Sequence, residues 1–272
     1  MSANDFLSSA EHLVSSLSTV GPLVIAFSGG VDSSLLAVAA RKALGRDQVL
    51  AVTADSESFA SGELELCAEL TKAWDIEWQT VSTSELSDER YLINDTDRCY
   101  WCKTALMDQL EPLANARGAS VALGVNVDDL DDHRPGQQAA ASRGAIFPLV
   151  TANLNKSDIR GIAKLWDITT WDRPAMPCLA SRIPYGTEVS ISLLSRVDRA
   201  ESALRSLGFD DVRVRHYDET ARIELPADRL CDAADQAEAI TTAVSAIGYR
   251  YVTLDLAGLR SGNLNGAKAN ET

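Results

Sequence analysis

The feature that most constrains the fold is the alternation of short apolar runs with helical patterns over the first 170 residues. The apolar runs are LVIAF (23–27), QVLAVTA (48–54), IEWQTVS (76–82) and SVALGV (120–125). The helical patterns between them cover 33–44, 61–74 and roughly 100–116. Strands joined by helices of this length pair in parallel through right-handed crossovers. The alternation therefore predicts an α/β fold with a doubly wound parallel sheet.

The pattern changes after WDRPAMPCLASRIPYG, whose prolines and glycine mark irregular chain. A helical pattern at 190–207 is followed by the runs VRVRHY and ARIELP, a helical pattern at 227–247 and the run YRYVTLDL. This order predicts a smaller α+β domain that contains an antiparallel pair of strands. We therefore expect three parts: a main domain over 1–172, a linker over 173–189 and the smaller domain over 190–272.

Composition limits the partners that such a chain can have. Among its 272 residues 46% are hydrophobic, which is typical of a globular protein. The apolar runs are too short to cross a bilayer and the first residues lack the features of a signal peptide, so we expect a cytoplasmic protein with no membrane partner. A formal charge of −14 opposes binding to nucleic acid. A small anionic substrate held by a few arginines remains compatible with this charge.

The stretch AFSGGVDSS (26–34) follows the first strand and opens a helix. Its glycines let the backbone approach a ligand, and the helix amino terminus offers free N–H groups. No Lys-Ser or Lys-Thr follows, so the loop is not the P-loop that contains a lysine. It resembles the SGGxDS pyrophosphate loop of ATP pyrophosphatases, and the alternative is a plain connecting turn. The predicted ATP site comprises Ser28, Gly29, Gly30, Asp32, Ser33, Ala54 and Gly124.

The segment GVNVDDLDDHRPGQQAA (124–140) follows the fourth strand, at the edge where open α/β sheets bind ligands. It contains four aspartates within five positions, which would repel one another unless a cation neutralises them. We predict that Mg²⁺ bridges the ATP phosphates here, with Asp129 and Asp132 as the preferred ligands. The alternative is a solvated acidic turn capped by Arg134.

Five cysteines, an odd number, do not suggest a disulfide framework in a reducing compartment. Cys99 and Cys102 lie three apart and can share a metal, and Cys178 lies between prolines. A zinc site would need a fourth ligand that is not obvious, and a CxxC redox pair would leave Cys178 without a role. Three thiolates on a [4Fe–4S] cluster would leave one iron open. We expect the other two, Cys67 and Cys231, to be small buried hydrophobic residues.

Arg213 and Arg215 lie two apart in the run VRVRHY. On a strand their guanidinium groups would emerge from one face and could clamp a phosphate. A surface ladder of salt bridges with the nearby Asp211 is the alternative.

Taken together, the chain resembles the LarE-type ATP-dependent sulfur transferases of the cluster-containing kind. The resemblance rests on AFSGGVDSS, DDLDDHRPG, MPCLASRIPYGT, RSLGFDDVRVRHYDETARIELP and YRYVTLDLAGLRSG. It implies adenylation of the carboxylates of pyridinium-3,5-biscarboxylic acid mononucleotide and their conversion to thiocarboxylates for a nickel-pincer nucleotide. The implied cofactors are ATP, Mg²⁺ and a [4Fe–4S] cluster, and a sulfide source must supply the sulfur. A homo-oligomer is also expected.

The resemblance also implies roles for single residues. Cys99, Cys102 and Cys178 would bind the cluster, whose sulfide is passed to the substrate, whereas a second branch of the family sacrifices the sulfur of one cysteine, matched here by Cys178, and leaves dehydroalanine. Arg213 and Arg215 would bind the substrate phosphate, with Arg182 as a helper. Glu201, Glu224 and Arg260 fall in matching segments, where a role in an interface is an equal alternative.

Other functions remain open from the sequence. A tRNA thiolase of the same superfamily would use similar chemistry but should carry a basic surface. An ammonia-dependent ligase has no need of three cysteines. A module that senses ATP without turning it over would bind the nucleotide and release no pyrophosphate.

Overall fold

The structure, a computed structural model, describes residues 3–130 and 135–260. Its helices are α1 (Ala3–Leu17), α2 (Val31–Leu44), α3 (Glu63–Ala73), α4 (Glu89–Leu92), α5 (Arg98–Arg117), α6 (Pro135–Ser142), α7 (Pro148–Thr151), α8 (Lys156–Leu165), α9 (Ile191–Ser206), α10 (Leu230–Asp235) and α11 (Ala237–Ser245). Its strands are β1 (Leu23–Ala26), β2 (Val49–Asp55), β3 (Glu77–Ser82), β4 (Ser120–Leu123), β5 (Arg213–Tyr217), β6 (Thr220–Glu224) and β7 (Tyr251–Leu254).

The described chain forms two compact units. The first comprises the chain up to Ser56 together with Gly62–Asp88 and Asp97–Met176. The second comprises Glu57–Ser61, Glu89–Thr96 and the described chain from Pro177 onward. The units are therefore interleaved in sequence, whereas the prediction used three consecutive segments.

A four-stranded parallel sheet organises the first unit, with the strand order β3-β2-β1-β4. Leu23 of β1 lies opposite Val49 of β2 and Ser120 of β4. β1, β2 and β4 are mostly apolar and buried because helices cover both faces of a parallel sheet, whereas the edge strand β3 (EWQTVS) is only partly buried. This arrangement confirms the predicted α/β class and the doubly wound parallel sheet.

Helix α5 supplies much of the core on one face of this sheet. Its residues Leu106, Met107 and Leu110 belong to one buried cluster with Val24 of β1 and Val121 of β4. Neighbouring residues of each strand point to the opposite face, where α2 packs on β1 and β2. None of the helices in the described parts of the chain is long and apolar enough to cross a membrane.

A three-stranded sheet with the order β5-β6-β7 forms the centre of the second unit. β5 and β6 are antiparallel, which confirms the predicted pair, and β7 joins β6 in parallel. Helices α9 and α11 pack on this sheet through a buried cluster that includes Leu204, Val214, Ile223 and Val244. The sheet is therefore mixed, with one helical layer.

The predicted continuous helix over 227–247 is wrong. The chain forms α10 and α11 instead, because Gln236, with φ −101° and ψ 19°, ends the first helix and begins the second. No glycine or proline marks this break, so sequence periodicity alone does not reveal it.

Asn94 explains why the segment before α5 belongs to the second unit. It is fully buried, has a positive φ of 57°, and its Nδ2 donates hydrogen bonds to the carbonyls of Pro184 and Thr187, each at 2.8 Å. In return the N–H of Gly186 donates to the carbonyl of Asn94 at 3.1 Å. One asparagine thus organises the turn IPYGT through its side chain and its backbone.

Candidate active site

The order of strands in the first unit reverses between β1 and β4. The chain proceeds from β1 outward to β2 and β3, and β4 then lies on the other side of β1. In open parallel sheets ligands bind outside the carboxyl ends of the strands at such a reversal. The loops that follow these two ends, 27–30 and 124–130, are the segments in which the sequence predicts ligands for ATP and Mg²⁺.

The loop after β1 wraps around the first turn of α2. Gly29 has a φ of 69°, in the left-handed region that glycine adopts without strain, and Gly30 is the N-cap of α2. The Oγ of Ser33 accepts a hydrogen bond from the N–H of Ser28 (3.3 Å) and donates one to the carbonyl of Gly30 (3.0 Å). The structure therefore brings these four predicted ATP ligands together.

Gly124 brings the second loop against this turn. A Cβ at Gly124 would lie 2.8 Å from the nitrogen of Ser33 and 2.9 Å from the carbonyl carbon of Asp32. Only glycine allows the end of β4 to approach α2 so closely. Ala54 is half-buried near the end of β2, on the other side of β1.

Asp32 is held from two sides. Its Oδ2 forms an ion pair with the Nζ of Lys156, and its Oδ1 accepts a hydrogen bond of 3.2 Å from Asn126 Nδ2. Lys156 and Asn126 are not among the predicted site residues. A capping box formed by Asn155 and Asp158 marks the start of α8 in the sequence. That signal does not reveal that the lysine reaches Asp32.

The described aspartates of the acidic loop cap the backbone. Asp129 Oδ2 accepts a hydrogen bond from the N–H of Asn126 (3.1 Å), and Asp128 Oδ2 accepts one from the N–H of Lys156 (2.8 Å). Asp132, the other predicted Mg²⁺ ligand, lies outside the described residues, as does Arg134. Over residues 3–130 and 135–260, no three His, Cys, Asp or Glu side chains are grouped so as to hold a metal ion.

Cys67 lies behind the glycine loop. Its side chain is fully buried, and its Sγ would lie 3.2 Å from a Cβ at Gly29. Burial raises the pKa of this thiol to about 11, so it stays protonated. The expectation of a small buried residue is confirmed for Cys67. It is wrong for Cys231, which is exposed because α10 turns Ala233 to the core instead.

Cys99 and Cys102 lie in the first turns of α5, in the first unit. Cys99 is exposed and Cys102 is partly buried. A Cβ at Gly136 of α6 would lie 2.8 Å from the carbonyl oxygen of Cys99, so this glycine permits a close approach of the two helices. The indole of Trp101 donates a hydrogen bond of 3.0 Å to Asp97, which precedes the helix. Both thiols therefore lie in the first two turns of one helix, and a metal shared between them stays a prediction.

Cys178 belongs to the second unit and is partly buried. It precedes a short 3₁₀ turn, Leu179–Arg182, and its carbonyl accepts hydrogen bonds from Ser181 N–H (2.9 Å) and Arg182 Nη1 (3.3 Å). The N–H of Leu179 donates to the carbonyl of Ser58 at 2.9 Å. Because the carbonyl of Pro177 also accepts a hydrogen bond from Arg182 Nη1 (2.5 Å), the backbone on both sides of this thiol is fixed within its own unit.

Arg182 is fully buried and forms a two-point ion pair with Glu201, which is fully buried as well. Nε and Nη2 of the arginine lie 2.8 and 3.2 Å from the two carboxylate oxygens. Glu201 Oε1 also accepts the N–H of Val214, on the edge strand β5, at 3.0 Å. Arg182 therefore joins the segment that carries Cys178 to α9 and β5.

Arg213 and Arg215 are buried rather than exposed on β5, with 6% and 4% of their surfaces accessible. Arg215 pairs with the buried Glu224 (3.0 Å) and donates to the carbonyl of Ser181 (2.6 Å), while its buried Nε has no hydrogen-bond partner among the described residues. Burial, with the charges of Arg182 and Arg215, lowers the pKa of Arg213. The carboxylates of Glu201 and Glu224 also pair with Arg205 and Arg222, so guanidinium groups outnumber these two carboxylates and an anion would relieve the excess positive charge.

Comparisons with known proteins agree with this arrangement. The family model of NAD synthase matches residues 5–91, which include the glycine loop. The chain is 37% identical over 254 residues to the pyridinium-3,5-bisthiocarboxylic acid mononucleotide synthase of Lactiplantibacillus plantarum, covering 93% of this chain and 92% of the relative. An uncharacterized protein of Synechocystis sp. is 44% identical over 245 residues, covering 89% and 91%. Another, of Methanocaldococcus jannaschii, is 27% identical over 240 residues, covering 88% and 91%.

The parallel sheet, the glycine loop at its reversal and the match to NAD synthase define an ATP-binding enzyme of the PP-loop class. The chain belongs to the family of the pyridinium-3,5-bisthiocarboxylic acid mononucleotide synthase, the LarE family that the sequence motifs predict. It is accordingly an ATP-dependent, sulfur-transferring enzyme.

Proposed function

We propose that the protein converts the carboxylates of pyridinium-3,5-biscarboxylic acid mononucleotide to thiocarboxylates, as a step in the biosynthesis of a nickel-pincer nucleotide. The observation that carries this proposal is the match to the synthase from Lactiplantibacillus plantarum, which extends over 93% of the chain and through both units. The glycine loop supports the ATP-dependent part of the reaction, and the buried arginines support an anionic substrate.

In the first step a carboxylate oxygen of the substrate attacks the α-phosphorus of Mg-ATP. The bond from the α-phosphorus to the bridging oxygen breaks, which gives an acyl adenylate and pyrophosphate. The N–H groups at the start of α2 and the ammonium group of Lys156 would stabilise the leaving pyrophosphate. Mg²⁺ enters with the nucleotide, and Asp129 and Asp132 stay its predicted ligands.

In the second step a sulfide attacks the acyl carbon of the adenylate and AMP leaves, so the carboxylate oxygen lost to AMP is replaced by sulfur. No change of oxidation state is needed at the substrate, because sulfide and oxide are both divalent anions. Adenylation supplies the leaving group, and the protein must exclude water, which would return the carboxylate.

Arg213 and Arg215, with Arg182 as a helper, would bind the phosphate of the substrate. Their support is the excess of guanidinium groups over carboxylates and the buried Nε of Arg215, which lacks a partner among the described residues. Nε and Nη2 of Arg182 are both paired with Glu201. We therefore assign Arg182 the role of orienting the other two arginines rather than of contacting the substrate phosphate. The part of the chain over 190–272 would then serve substrate binding and oligomerisation.

We propose that Cys99, Cys102 and Cys178 hold a [4Fe–4S] cluster. Thiolates are the donors that such clusters use, and the first two thiols lie at one helix start and are accessible. The third proposed ligand, Cys178, is partly buried and belongs to the second unit. The chemistry that a bound cluster supplies is a sulfide held at its open iron, drawn from an external sulfide source.

A second candidate is sacrificial transfer from Cys178 without a cluster. This route needs a single thiol, and the backbone of Cys178 is held by hydrogen bonds within the second unit. The substrate would take the sulfur of Cys178, and the residue would become dehydroalanine after loss of the Cβ–S bond and the α-proton.

The test of the proposed function is incubation of the protein with the biscarboxylate mononucleotide, Mg-ATP and sulfide under anaerobic conditions. We expect release of pyrophosphate and AMP in equal amounts and formation of the thiocarboxylate, detected by mass spectrometry. Release of pyrophosphate without a sulfur-containing product would contradict the proposal, and a sensor of ATP would release none.

The sulfur source is tested by iron and labile sulfide content and by turnovers per chain. We expect Cys99→Ala and Cys102→Ala to lose the iron and multiple turnover, whereas Cys231→Ser, the substitution of an exposed cysteine outside the site, should keep both. The cluster proposal would be wrong, and the sacrificial route right, if iron-free protein makes one product per chain and its Cys178 becomes dehydroalanine.

A further inference from the structure

Arg173 lies between the glycine loop and the start of α3. Its Nη1 donates a hydrogen bond to the carbonyl oxygen of Gly29 (3.4 Å), and its Nη2 donates one to Glu63 Oε1 (2.5 Å). The carbonyl of Arg173 accepts a hydrogen bond from Arg160 Nη2 of α8 (3.2 Å). The guanidinium is therefore fixed by a nearly buried carboxylate on one side while its own backbone is held from another helix.

The contact with Gly29 determines the direction of an N–H group. In a planar trans peptide the C=O of one residue and the N–H of the next point in opposite directions. Because the Gly29 carbonyl points toward Arg173, the N–H of Gly30 points away from it, on the side of the loop opposite the guanidinium. Gly29 can adopt either orientation of this peptide easily, since glycine has no Cβ to restrict it.

We propose that Arg173, held by Glu63, is a positioning residue that keeps the Gly29–Gly30 peptide with its N–H aimed at the pyrophosphate of ATP. The inference rests on the proposed function in one respect, namely that the loop binds the pyrophosphate of ATP. Without the arginine, the peptide would sample the flipped orientation and present a carbonyl oxygen to the anion. The flipped peptide would weaken the binding of those ligands that carry a pyrophosphate group.

A simple charge effect is the rival explanation, because an arginine near an anion site attracts the anion through space. A substitution at Glu63 distinguishes the charge effect from positioning. Glu63→Gln removes a negative charge near the loop, so a charge effect predicts tighter binding of pyrophosphate. Positioning predicts weaker binding, because the guanidinium loses the carboxylate that holds it.

The experiment is titration calorimetry of the full-length protein with Mg-pyrophosphate and, separately, with AMP. For Arg173→Gln we expect about tenfold weaker binding of pyrophosphate, the equivalent of one hydrogen bond, and unchanged binding of AMP. Arg173→Lys should recover part of the loss. Glu63→Gln should weaken pyrophosphate binding in the same direction, and the double variant should be no worse than Arg173→Gln alone, because both act through one contact.

Equal losses for pyrophosphate and AMP would mean that the substitutions loosen the whole site, and this result would overturn the proposal. Tighter binding by Glu63→Gln would overturn it in favour of the charge effect. Thermal melting of each variant identifies loss of fold. If Arg173→Gln does not fold, the titrations of Arg173→Lys, the milder change, test the proposal. If the wild type binds pyrophosphate with this pattern but makes no thiocarboxylate, the proposed substrate is wrong and the role of Arg173 stands.

Discussion

Lys156 forms an ion pair with Asp32 at the carboxyl edge of the parallel sheet, although the two lie 124 positions apart in the sequence. The pair joins the first turn of α8 to the first turn of α2. The pair lies beside the loop that binds pyrophosphate in our proposal. We expect Lys156 to neutralise this carboxylate in the absence of ATP and to turn toward the phosphates when ATP binds.

We predict that Lys156→Gln lowers the rate of pyrophosphate release by about 100-fold, because a charge that stabilises the leaving group is lost. Steady-state assays of pyrophosphate release with varied ATP measure the effect. Lys72→Gln, the substitution of an exposed lysine at the end of α3, is the matched control and should leave the rate unchanged. A rate near that of the wild type for Lys156→Gln would show that the lysine has only a structural role.

Gly124→Ala should destabilise the first unit by about 1–3 kcal/mol, because its Cβ would collide with the backbone of the first turn of α2. Urea unfolding measures the free energy of unfolding. Gly144→Ala is the comparison, since its Cβ would meet nothing within 4 Å and only its positive φ of 80° opposes the change. Equal losses for the two variants would contradict the contact that we describe.

Arg182→Met should cost about 3–5 kcal/mol of the free energy of unfolding, because it leaves the carboxylate of Glu201 buried without its two-point partner. Arg250→Gln breaks an ion pair with Glu219 whose side chains are 68% and 64% exposed, and it should change stability by less than about 1 kcal/mol. Urea unfolding of both variants tests this contrast. A small effect at Arg182 would mean that Arg205 or water replaces it at Glu201.

His216 should make the second unit sensitive to acid. Burial first, and then the charge of Arg196, lowers the pKa of this imidazole from its usual 6.5, and Nδ1 lies 3.2 Å from the hydroxyl of Tyr249. The folded state therefore binds this proton less readily than the unfolded state. The contribution of the neutral imidazole to the free energy of unfolding is complete above about pH 6.5, and it is lost as the pH drops from there through the folded-state pKa.

The measurement for His216 is the free energy of unfolding from pH 8 down to pH 5. We expect the wild type to lose more stability over this range than His216→Gln, which cannot take up the proton. Protonation of carboxylates acts equally on both proteins and cancels in the comparison. Parallel curves for the two proteins would show that His216 does not control the acid response.

Local signals in the sequence predict most elements of the first unit. The apolar runs at 23–27 and 120–125 predict buried parallel strands because both faces of such a sheet are covered. AFSGGVDSS predicts a strand, a turn and a helix start, since glycines and an amino-terminal turn form through neighbouring residues. The break at Gln236 was not predictable in this way, because helical periodicity continues across it.

The sequence by itself determined the parallel sheet, the glycine loop and the family, because these depend on contiguous patterns of apolar residues, glycines and motif residues. The tertiary structure decided which charges meet. It buried Arg182 against Glu201, brought Lys156 to Asp32 and set Arg173 between Glu63 and Gly29. The members of each ion pair are 19 to 124 positions apart in the sequence. Burial of a charge is costly unless a partner compensates it, and the local sequence around a charged residue does not indicate which distant residue that partner is.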